Sequence, residues 1–326
     1  ASETMPDADS TTRGVASVLA ANPDLVTSGL QQRVLFVDDD AALRRLGKAI
    51  LEGAGYEVTQ AEDGREAVAA IGSRAPDIVI TDWKMPHMDG MQLCQWIRQA
   101  DLEHYVYIIL ITGRSDVRCM VQAIAAGADD FCLKPFQAGE LLCRLQAGQR
   151  ILERERLLAF LSRHDQLTGV LNRRAFFDDV KRQWSGERDR SRPFACAMMD
   201  ADLFKRVNDR YGHAAGDEVL RTIATILRDR CPMPTQACRY GGEEFCVSLP
   251  GMNEGEAAAW AEGCRQAITE RIICTGEEYI CVTVSFGVSE QTGADDNIEA
   301  MLGRADRALL MAKEKGRNMV IQLGGG

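Results

Sequence analysis

The residues best suited to chemistry surround a Gly-Gly pair, in the segment 239–245 (RYGGEEF). Short apolar runs flank the pair, which predicts a hairpin because glycine readily adopts the positive φ of tight turns. Glu243 and Glu244 would place two carboxylates at the tip of that hairpin. Since neighbouring residues of a strand point to opposite faces, we expect one carboxylate to face a metal and the other to face a substrate group or support the turn.

A further carboxylate lies upstream, where the apolar run 194–200 (FACAMMD) ends in Asp200. A strand ending in Asp beside a hairpin carrying Glu brings carboxylate oxygens together. Mg²⁺ prefers such ligands and commonly accompanies a phosphate substrate. Taken singly, the Gly-Gly pair is an ordinary surface turn and Asp200 an ordinary strand-end cap. Together they predict a metal-dependent phosphate site, to which Lys205 would add positive charge.

Another acidic site is predicted in the first part of the chain. Five apolar runs alternate there with segments of helical spacing, which is typical of a parallel sheet with helices on both faces. The functional site of such a sheet lies at the carboxyl ends of its strands. The polar residues at these ends are Asp38, Asp39, Asp82, Thr112 and Lys134. Bringing them to one rim would be unfavourable without a cation and a phosphate.

These elements divide the 326-residue chain into four parts. Residues 1–31 lack periodicity beyond one short helix at 14–21 and are expected to be a mobile extension. Residues 32–137 predict a doubly wound α/β domain with a five-stranded parallel sheet. Residues 138–163 predict a long linker helix, and residues 164–326 an α+β domain with a mixed sheet in which residues 279–288 form one strand.

The linker helix carries an apolar stripe of roughly heptad spacing, formed by Leu142, Leu145, Leu152 and Ala159. This stripe fits a short parallel coiled coil with a second chain. It also fits a solvated connector within one chain, and the sequence leaves both interpretations open.

The composition argues against several classes of partner. The formal charge of −10 disfavours non-specific binding to nucleic acid or anionic membranes. No apolar run approaches the roughly 20 residues of a membrane span. The eleven cysteines form no C-x-x-C motif and are expected to be reduced. We therefore predict a cytoplasmic protein with no nucleic-acid and no membrane partner.

Five motifs in this order make roughly residues 160–322 resemble a GGDEF-domain diguanylate cyclase: HDQLTGVLNRR, MMDADLFKRVND, YGHAAGDEVL, RYGGEEF and AKEKGRN. The resemblance implies a cyclase fold, similar to the palm of polymerases, that condenses two GTP into cyclic di-GMP and two pyrophosphates. Each domain would bind one GTP, so the resemblance also implies a homodimer whose two half-sites meet.

The same resemblance implies roles for individual residues. Asp200, Glu243 and the backbone carbonyl of Ala201 would bind Mg²⁺, with Mn²⁺ as the alternative metal. Glu244 would assist deprotonation of the attacking 3′-hydroxyl, and Glu243 is the other candidate. Contacts to the phosphates would come from Lys205, Lys313, Arg317 and the backbone N–H groups of Phe204 and Lys205. Guanine would be recognised by Asn208 and Asp217.

The motifs VDDD, TDWKMPHMDG, ILITGR and LKPF make roughly residues 32–150 resemble a response-regulator receiver domain. The resemblance implies Asp82 as phospho-acceptor, with a cognate histidine kinase or phosphotransfer protein as donor. Asp38, Asp39, Asp82 and the Lys84 carbonyl would bind Mg²⁺. Lys134 would pair with the phosphoryl group and precede a cis-proline, and the switch pair would be Thr112 and Phe131.

The chain departs from the cyclase pattern just before the Gly-Gly pair. Many members carry Arg-x-x-Asp there as an inhibitory product site, whereas residues 232–235 read PMPT. We therefore predict weak or absent product inhibition through that site.

The expected function is a phosphorylation-regulated diguanylate cyclase. The alternative is a catalytically inactive GGDEF module that binds GTP or a partner as the output of the receiver. The complete set of predicted site residues argues against inactivity, and pyrophosphate release from GTP would separate the two. A DNA-binding regulator would need a helix-turn-helix and a basic surface, neither of which the sequence indicates.

Overall fold

A computed structural model describes residues 32–113, 117–185, 193–231, 236–276, 278–292 and 297–324 of the protein. These residues form two compact units, the first ending at Phe160 and the second beginning at Leu161. The predicted mobile extension over residues 1–31, with its short helix, lies outside the described residues.

The first unit contains a five-stranded parallel sheet with the strand order β2-β1-β3-β4-β5. Its strands are β1 (Arg33–Val37), β2 (Glu57–Ala61), β3 (Ile78–Asp82), β4 (Tyr107–Thr112) and β5 (Asp130–Leu133). Its helices are α1 (Ala41–Gly53), α2 (Gly64–Ser73), α3 (Gly90–Gln99), α4 (Val117–Ala125) and the start of α5 (Ala138–Arg163). Separate apolar cores cover the two faces of the sheet. The predicted doubly wound α/β fold is therefore confirmed, as is the cis peptide bond between Lys134 and Pro135.

Two leucines of the apolar stripe on α5 pack against the sheet of the first unit. Leu145 and Leu152 are 0% and 1% exposed and belong to the core on one face of the five-stranded sheet. Arg156, farther along the helix, lies 2.7 Å from the buried carboxylate of Asp77. The coiled-coil interpretation is therefore wrong for Leu145 and Leu152, because these side chains already have apolar partners in their own unit.

The second unit contains a six-stranded mixed sheet with the strand order β13-β12-β7-β9-β8-β6. Its strands are β6 (Leu171–Asn172), β7 (Phe194–Ala201), β8 (Gln236–Arg239), β9 (Glu244–Pro250), β12 (Val284–Glu290) and β13 (Val320–Gln322). Its helices are α6 (Arg173–Ser185), α7 (Phe204–Tyr211), α8 (His213–Arg230), α9 (Glu254–Thr269) and α10 (Ile298–Glu314). The central strand β7 is antiparallel to both β9 and β12, which confirms the predicted α+β arrangement.

The segment predicted as one strand over residues 279–288 is divided in the structure. Strands β10 (Ile273–Thr275) and β11 (Glu278–Ile280) form a separate antiparallel pair, and β12 begins only at Val284. The single-strand prediction is therefore wrong. Alternating apolar residues continue across the break, so hydrophobic pattern alone does not reveal it.

Helix α10 lies directly against strand β12 at Gly287. A Cβ atom at this position would lie 2.1 Å from the carbonyl oxygen of Ala305 and 2.2 Å from the amide nitrogen of Leu309. Only glycine permits so close an approach of helix and strand backbones. This contact fixes the helix that carries Lys313.

The ten cysteines for which the structure describes a side chain are free thiols, in agreement with the prediction of reduced cysteines. Among the helices of the described ranges, none is both long enough and apolar enough to cross a membrane.

Candidate functional site

We call Asp38, Asp39, Asp82 and Lys134 the first acidic site. The two neighbouring aspartates follow β1, Asp82 ends β3 and Lys134 follows β5, so parallel strand ends bring them to one rim. The three acids offer ligand oxygens within 4.8 Å of one another. Within the part of the chain that the structure describes, they are the one set of three His, Cys, Asp or Glu residues grouped so closely.

Lys134 compensates the charge of this site. Its ammonium lies 2.7 Å from Asp38 Oδ2 and 3.1 Å from Asp82 Oδ1. Burial raises the pKa of Asp82, and Lys134 offsets only part of that rise. Burial acts to lower the pKa of Lys134, but the two carboxylates outweigh it and the pKa is raised. A cluster of carboxylate oxygens whose negative charge one lysine offsets only in part suits Mg²⁺, which prefers hard oxygen ligands.

The other residues predicted for the first acidic site surround it. Lys84 lies in the loop after β3 and exposes its side chain, which leaves its backbone carbonyl as the predicted ligand. Thr112 is buried at the end of β4, where its carbonyl accepts a hydrogen bond from Lys134 N at 2.8 Å. Phe131 is half-buried, and the Arg144 guanidinium of α5 lies 5.5 Å from its ring centroid. The candidate switch residue therefore contacts the long helix.

We call Asp200, Glu243, Glu244 and Lys313 the second acidic site. Asp200 lies opposite Glu244 in the antiparallel pair of β7 and β9. The next residue, Ala201, donates its N–H to the Glu243 carbonyl at 3.3 Å. Asp200 is 8% exposed, and its Oδ2 lies 2.7 Å from Lys313 Nζ. The strand that ends in Asp and the hairpin that carries Glu are thus neighbours, as the sequence predicts.

The charges of the second acidic site oppose one another. Burial raises the pKa of Asp200, Lys313 lowers it, and the negative charges of Glu243 and Glu244 raise it again. The net shift is upward, so one ammonium does not compensate the buried carboxylate and its two neighbours. Asp200 and the two glutamates of the adjacent hairpin leave uncompensated negative charge here, which suits a divalent cation.

Arg239, which had no predicted role, holds the hairpin in shape. Its Nε and Nη2 atoms donate to the Gly242 carbonyl at 2.9 and 2.7 Å, and its Nη1 lies 3.1 Å from Asp165 Oδ1. Tyr240 N donates to the Glu244 carbonyl at 2.8 Å. The position of an arginine two residues before the Gly-Gly pair was the available signal.

The turn between β7 and α7 presents backbone N–H groups. Leu203 has a φ of 55°, and Phe204 and Lys205 then form the first turn of α7. A non-glycine residue in the left-handed region is strained, and no local pattern predicts it here. The first N–H groups of a helix lack intrahelical acceptors and favour anions. The side chain of Phe204 is buried, which leaves only its backbone N–H for the predicted phosphate contact. The side chain of Lys205 is exposed, which fits its own predicted contact.

The two cations predicted at the end of α10 occupy different surroundings. Lys313 lies in the last helical turn and contacts Asp200. Arg317 follows the helix within a left-handed turn, where Gly316, Arg317 and Asn318 have φ values of 123°, 66° and 48°. The side chain of Arg317 is exposed and, among the described residues, has no ion-pair partner. Only Arg317 is therefore free to bind an anion without first leaving a carboxylate.

Asn208 and Asp217, the residues predicted to recognise guanine, are placed by two packed helices. Asn208 lies on α7 and Asp217 near the start of α8, and both are half-buried. A Cβ atom at Gly216 would lie 2.0 Å from Asn208 Oδ1, so the amide rests directly on the backbone beside Asp217. The structure thus places the Asn208 amide against the backbone that leads directly into Asp217.

The proline-containing segment 232–235 lies outside the described residues, so weak product inhibition remains a prediction.

Two family models match the chain. The model described as "Response regulator receiver domain" matches residues 34–146, and the model described as "Diguanylate cyclase, GGDEF domain" matches residues 162–319.

The chain is also similar to individual proteins, some of which match most of its length and others about half of it. Response regulator PleD of Caulobacter vibrioides is 32% identical over 325 residues, covering 94% of this chain and 68% of that protein. Diguanylate cyclase VdcA of Vibrio cholerae is 38% identical over 162 residues, covering 49% of this chain and 46% of that protein. A crystal structure of the coiled coil and GGDEF domain of DgcB from Caulobacter crescentus, in complex with c-di-GMP, is 28% identical with a TM-score of 0.52; it covers 57% of this chain and 98% of that one.

Proposed function

The chain belongs to the family of response regulators in which a receiver domain is followed by a GGDEF domain, and from that premise we propose that it is a phosphorylation-regulated diguanylate cyclase. The second acidic site carries this proposal. Asp200 and the Gly-Gly-Glu hairpin lie side by side on adjacent strands, and Lys313 approaches the same carboxylate at 2.7 Å. An acidic site with nearby cations and free N–H groups suits a nucleoside triphosphate bound with a divalent cation.

In the proposed reaction, the 3′-hydroxyl of one GTP attacks the α-phosphorus of another. A bond forms between that oxygen and the phosphorus, the bond from the α-phosphorus to the bridging oxygen breaks, and pyrophosphate leaves. Glu244 receives the hydroxyl proton, with Glu243 as the alternative base. A second such step closes cyclic di-GMP. Because each domain holds one GTP, the reaction requires a homodimer.

Asp200, Glu243 and the carbonyl of Ala201 would hold Mg²⁺ or Mn²⁺ in the second acidic site. When bound, the cation neutralises the triphosphate and polarises the attacked phosphorus. From its place beside Asp200, Lys313 would bind the β- and γ-phosphates together with Arg317. The first turn of α7, with Lys205 and the N–H of Phe204, would bind the remaining phosphate oxygens.

Guanine recognition would depend on Asn208 and Asp217. A carboxylate accepts hydrogen bonds from guanine N1–H and the 2-amino group, and an amide serves the other edge of the base. Adenine lacks these donors and would leave the carboxylate unpaired, which lowers affinity.

The first acidic site would regulate this reaction. Asp82 would accept a phosphoryl group from a cognate kinase or phosphotransfer protein, in a pocket where Asp38, Asp39 and the Lys84 carbonyl hold Mg²⁺. Lys134 would pair with the phosphoryl oxygens. Thr112 and Phe131 would respond to the new charge, and Arg144 would pass the response to α5.

The test uses the full chain with GTP and Mg²⁺, measuring cyclic di-GMP and pyrophosphate with and without beryllofluoride as a phosphoryl mimic. We expect two pyrophosphates per cyclic di-GMP and a rate that changes with the mimic. Tight GTP binding without either product would instead support an inactive GTP-binding module.

A further inference from the structure

Asp202 is a buried carboxylate for which the proposed mechanism has no use. It is 7% exposed. Its Oδ2 accepts hydrogen bonds from Thr283 Oγ1 at 2.8 Å and from the backbone N–H of Asn318 at 3.0 Å. Its Oδ1 accepts a hydrogen bond from Ser285 Oγ at 2.7 Å. A buried charge is unfavourable unless it is compensated, and the donors to Asp202 named above are neutral.

Asn318 belongs to the left-handed turn that carries Arg317. Two consecutive non-glycine residues in that region, with φ of 66° and 48°, are strained and need fixed surroundings. The Asn318 N–H also lies 3.1 Å from Ser285 Oγ, and its side-chain Oδ1 accepts a hydrogen bond from Arg265 Nη1 at 2.6 Å. Asp202 supplies the one charged acceptor for the backbone of this turn among the described residues.

Asp202 also begins the turn between β7 and α7, which is the second segment proposed to bind the phosphates. It directly precedes Leu203, whose φ of 55° turns the chain into α7 and Lys205. Its own N–H donates to the Thr283 carbonyl at 2.9 Å, which ties this turn to the segment just before β12. One carboxylate therefore joins two turns that are 116 residues apart in sequence.

We propose that Asp202 is a positioning residue that fixes the turn of Arg317 against the β7–α7 turn, so that both contact one triphosphate. This inference rests on the proposed function, because it takes Arg317 as a ligand of the β- and γ-phosphates. Asp202 itself does not contact the nucleotide. Its effect should therefore concern the triphosphate and not the guanosine.

The variant Asp202→Asn tests this proposal, because the expected change in binding affinity is opposite in direction to the change that loss of the charge alone would cause. Removing a negative charge beside a triphosphate site would by itself strengthen binding. Loss of a charged acceptor for the Asn318 N–H should instead loosen Arg317 and weaken binding about fivefold to tenfold, as expected for a charge-assisted hydrogen bond. Asp209→Asn, an exposed acid on α7, removes the same charge without touching the turn and serves as matched control.

The measurement is calorimetric binding, with Mg²⁺, of a GTP analogue whose α–β bridging oxygen is methylene, so that no pyrophosphate leaves. GMP is the second probe. We expect Asp202→Asn to weaken binding of the analogue but to change GMP affinity less than about twofold. Arg317→Ala should weaken analogue binding about tenfold or more, and adding Asp202→Asn to it should have little further effect, because coupled residues are non-additive.

Equal weakening for GMP and the analogue, additivity with Arg317→Ala, or no weakening would each overturn the inference. If Asp202→Asn does not fold, Ser285→Ala removes one donor to Asp202 and should give the same pattern at smaller size. Wild-type protein that binds the analogue but forms no cyclic di-GMP from GTP would refute the proposed function. The inference about Asp202 would then be decided by the binding measurements on Asp202→Asn, Arg317→Ala and the double variant. Wild-type protein that does not bind the analogue would refute both.

Discussion

The two acidic sites use the same charge arrangement on different supports. In each, a buried aspartate at the end of a central strand lies within 3.1 Å of a lysine ammonium: Asp82 with Lys134, and Asp200 with Lys313. Lys134 bridges two carboxylates and follows a strand of the same sheet. Lys313 contacts one carboxylate and comes from the last turn of a helix.

This difference indicates how firmly each site is preassembled. The first acidic site is made by parallel strand ends, and its three carboxylates already lie within 4.8 Å of one another. The second depends on a hairpin held by Arg239, on a helix end and on two left-handed turns. We therefore expect the first site to bind a cation with little rearrangement, and the second to depend more on its supporting contacts.

The largest effect should distinguish the roles of the two strand-end aspartates. Asp200→Asn removes a proposed metal ligand and should lower the rate of cyclic di-GMP formation by about three orders of magnitude. Asp82→Asn should leave the basal rate within about twofold but abolish the response to beryllofluoride. Initial rates of pyrophosphate release measure both. A basal rate that survives Asp200→Asn would contradict the assignment of the second site.

An intermediate effect should follow from replacing the two lysines. Lys134→Met leaves Asp38 and Asp82 buried and adjacent, and should destabilise the first unit by about 3 kcal/mol in the absence of divalent cations. Lys313→Met removes one contact and should destabilise the second unit by about 1–2 kcal/mol. Hydrogen exchange followed by mass spectrometry reports on each unit separately.

Excess Mg²⁺ sharpens this comparison of the lysines. It should restore more stability to Lys134→Met, because three carboxylates already surround one point in the first acidic site. Equal losses and equal recovery in the two variants would mean that the sites do not differ in preassembly.

The last effect, as small as that of Lys313→Met, concerns an ion pair of the second unit that belongs to neither site. Asp179 is buried, lies 2.7 Å from Arg163 at the end of α5 and also contacts Arg182. Burial raises the pKa of Asp179, but the two arginines outweigh it and the pKa is lowered. A lowered pKa stabilises the fold fully above the unfolded value of about 3.9, and this stability is lost as pH falls through the lower folded value.

Asp179→Asn should accordingly destabilise the second unit by about 1–2 kcal/mol at neutral pH. The difference from wild type should shrink in acid, as measured by urea unfolding across a pH series. A difference independent of pH would show that packing, and not the charge of Asp179, stabilises this contact.

The sequence predicts well those features that follow from local pattern. Alternating strands and helices place Asp38, Asp82 and Lys134 on one rim, because parallel strands end at the same edge. The Gly-Gly turn sets the register of β8 against β9, since a short turn fixes the register of the strands that it joins. The position of Glu244 opposite Asp200 depends instead on the pairing of β9 with β7.

The sequence predicts less well those features that depend on distant contacts. The hydrogen bond from Asn318 to Asp202 spans 116 residues, and no spacing rule connects them. The left-handed φ of Leu203 contradicts the preference of its residue type. The apolar stripe of α5 was visible, but pattern alone does not say whether a second chain or the chain's own sheet covers Leu145 and Leu152.

The contact at Gly287 limits how the second unit can be re-engineered. Helix and strand backbones meet there without a side chain between them, so α10 has no spacer that could be trimmed or enlarged to shift it gradually. Any residue larger than glycine would push the whole helix outward and carry Lys313 and the following Arg317 with it. To change the position of one of these cations, that side chain itself must be substituted, because the helix that carries it cannot be shifted by small steps.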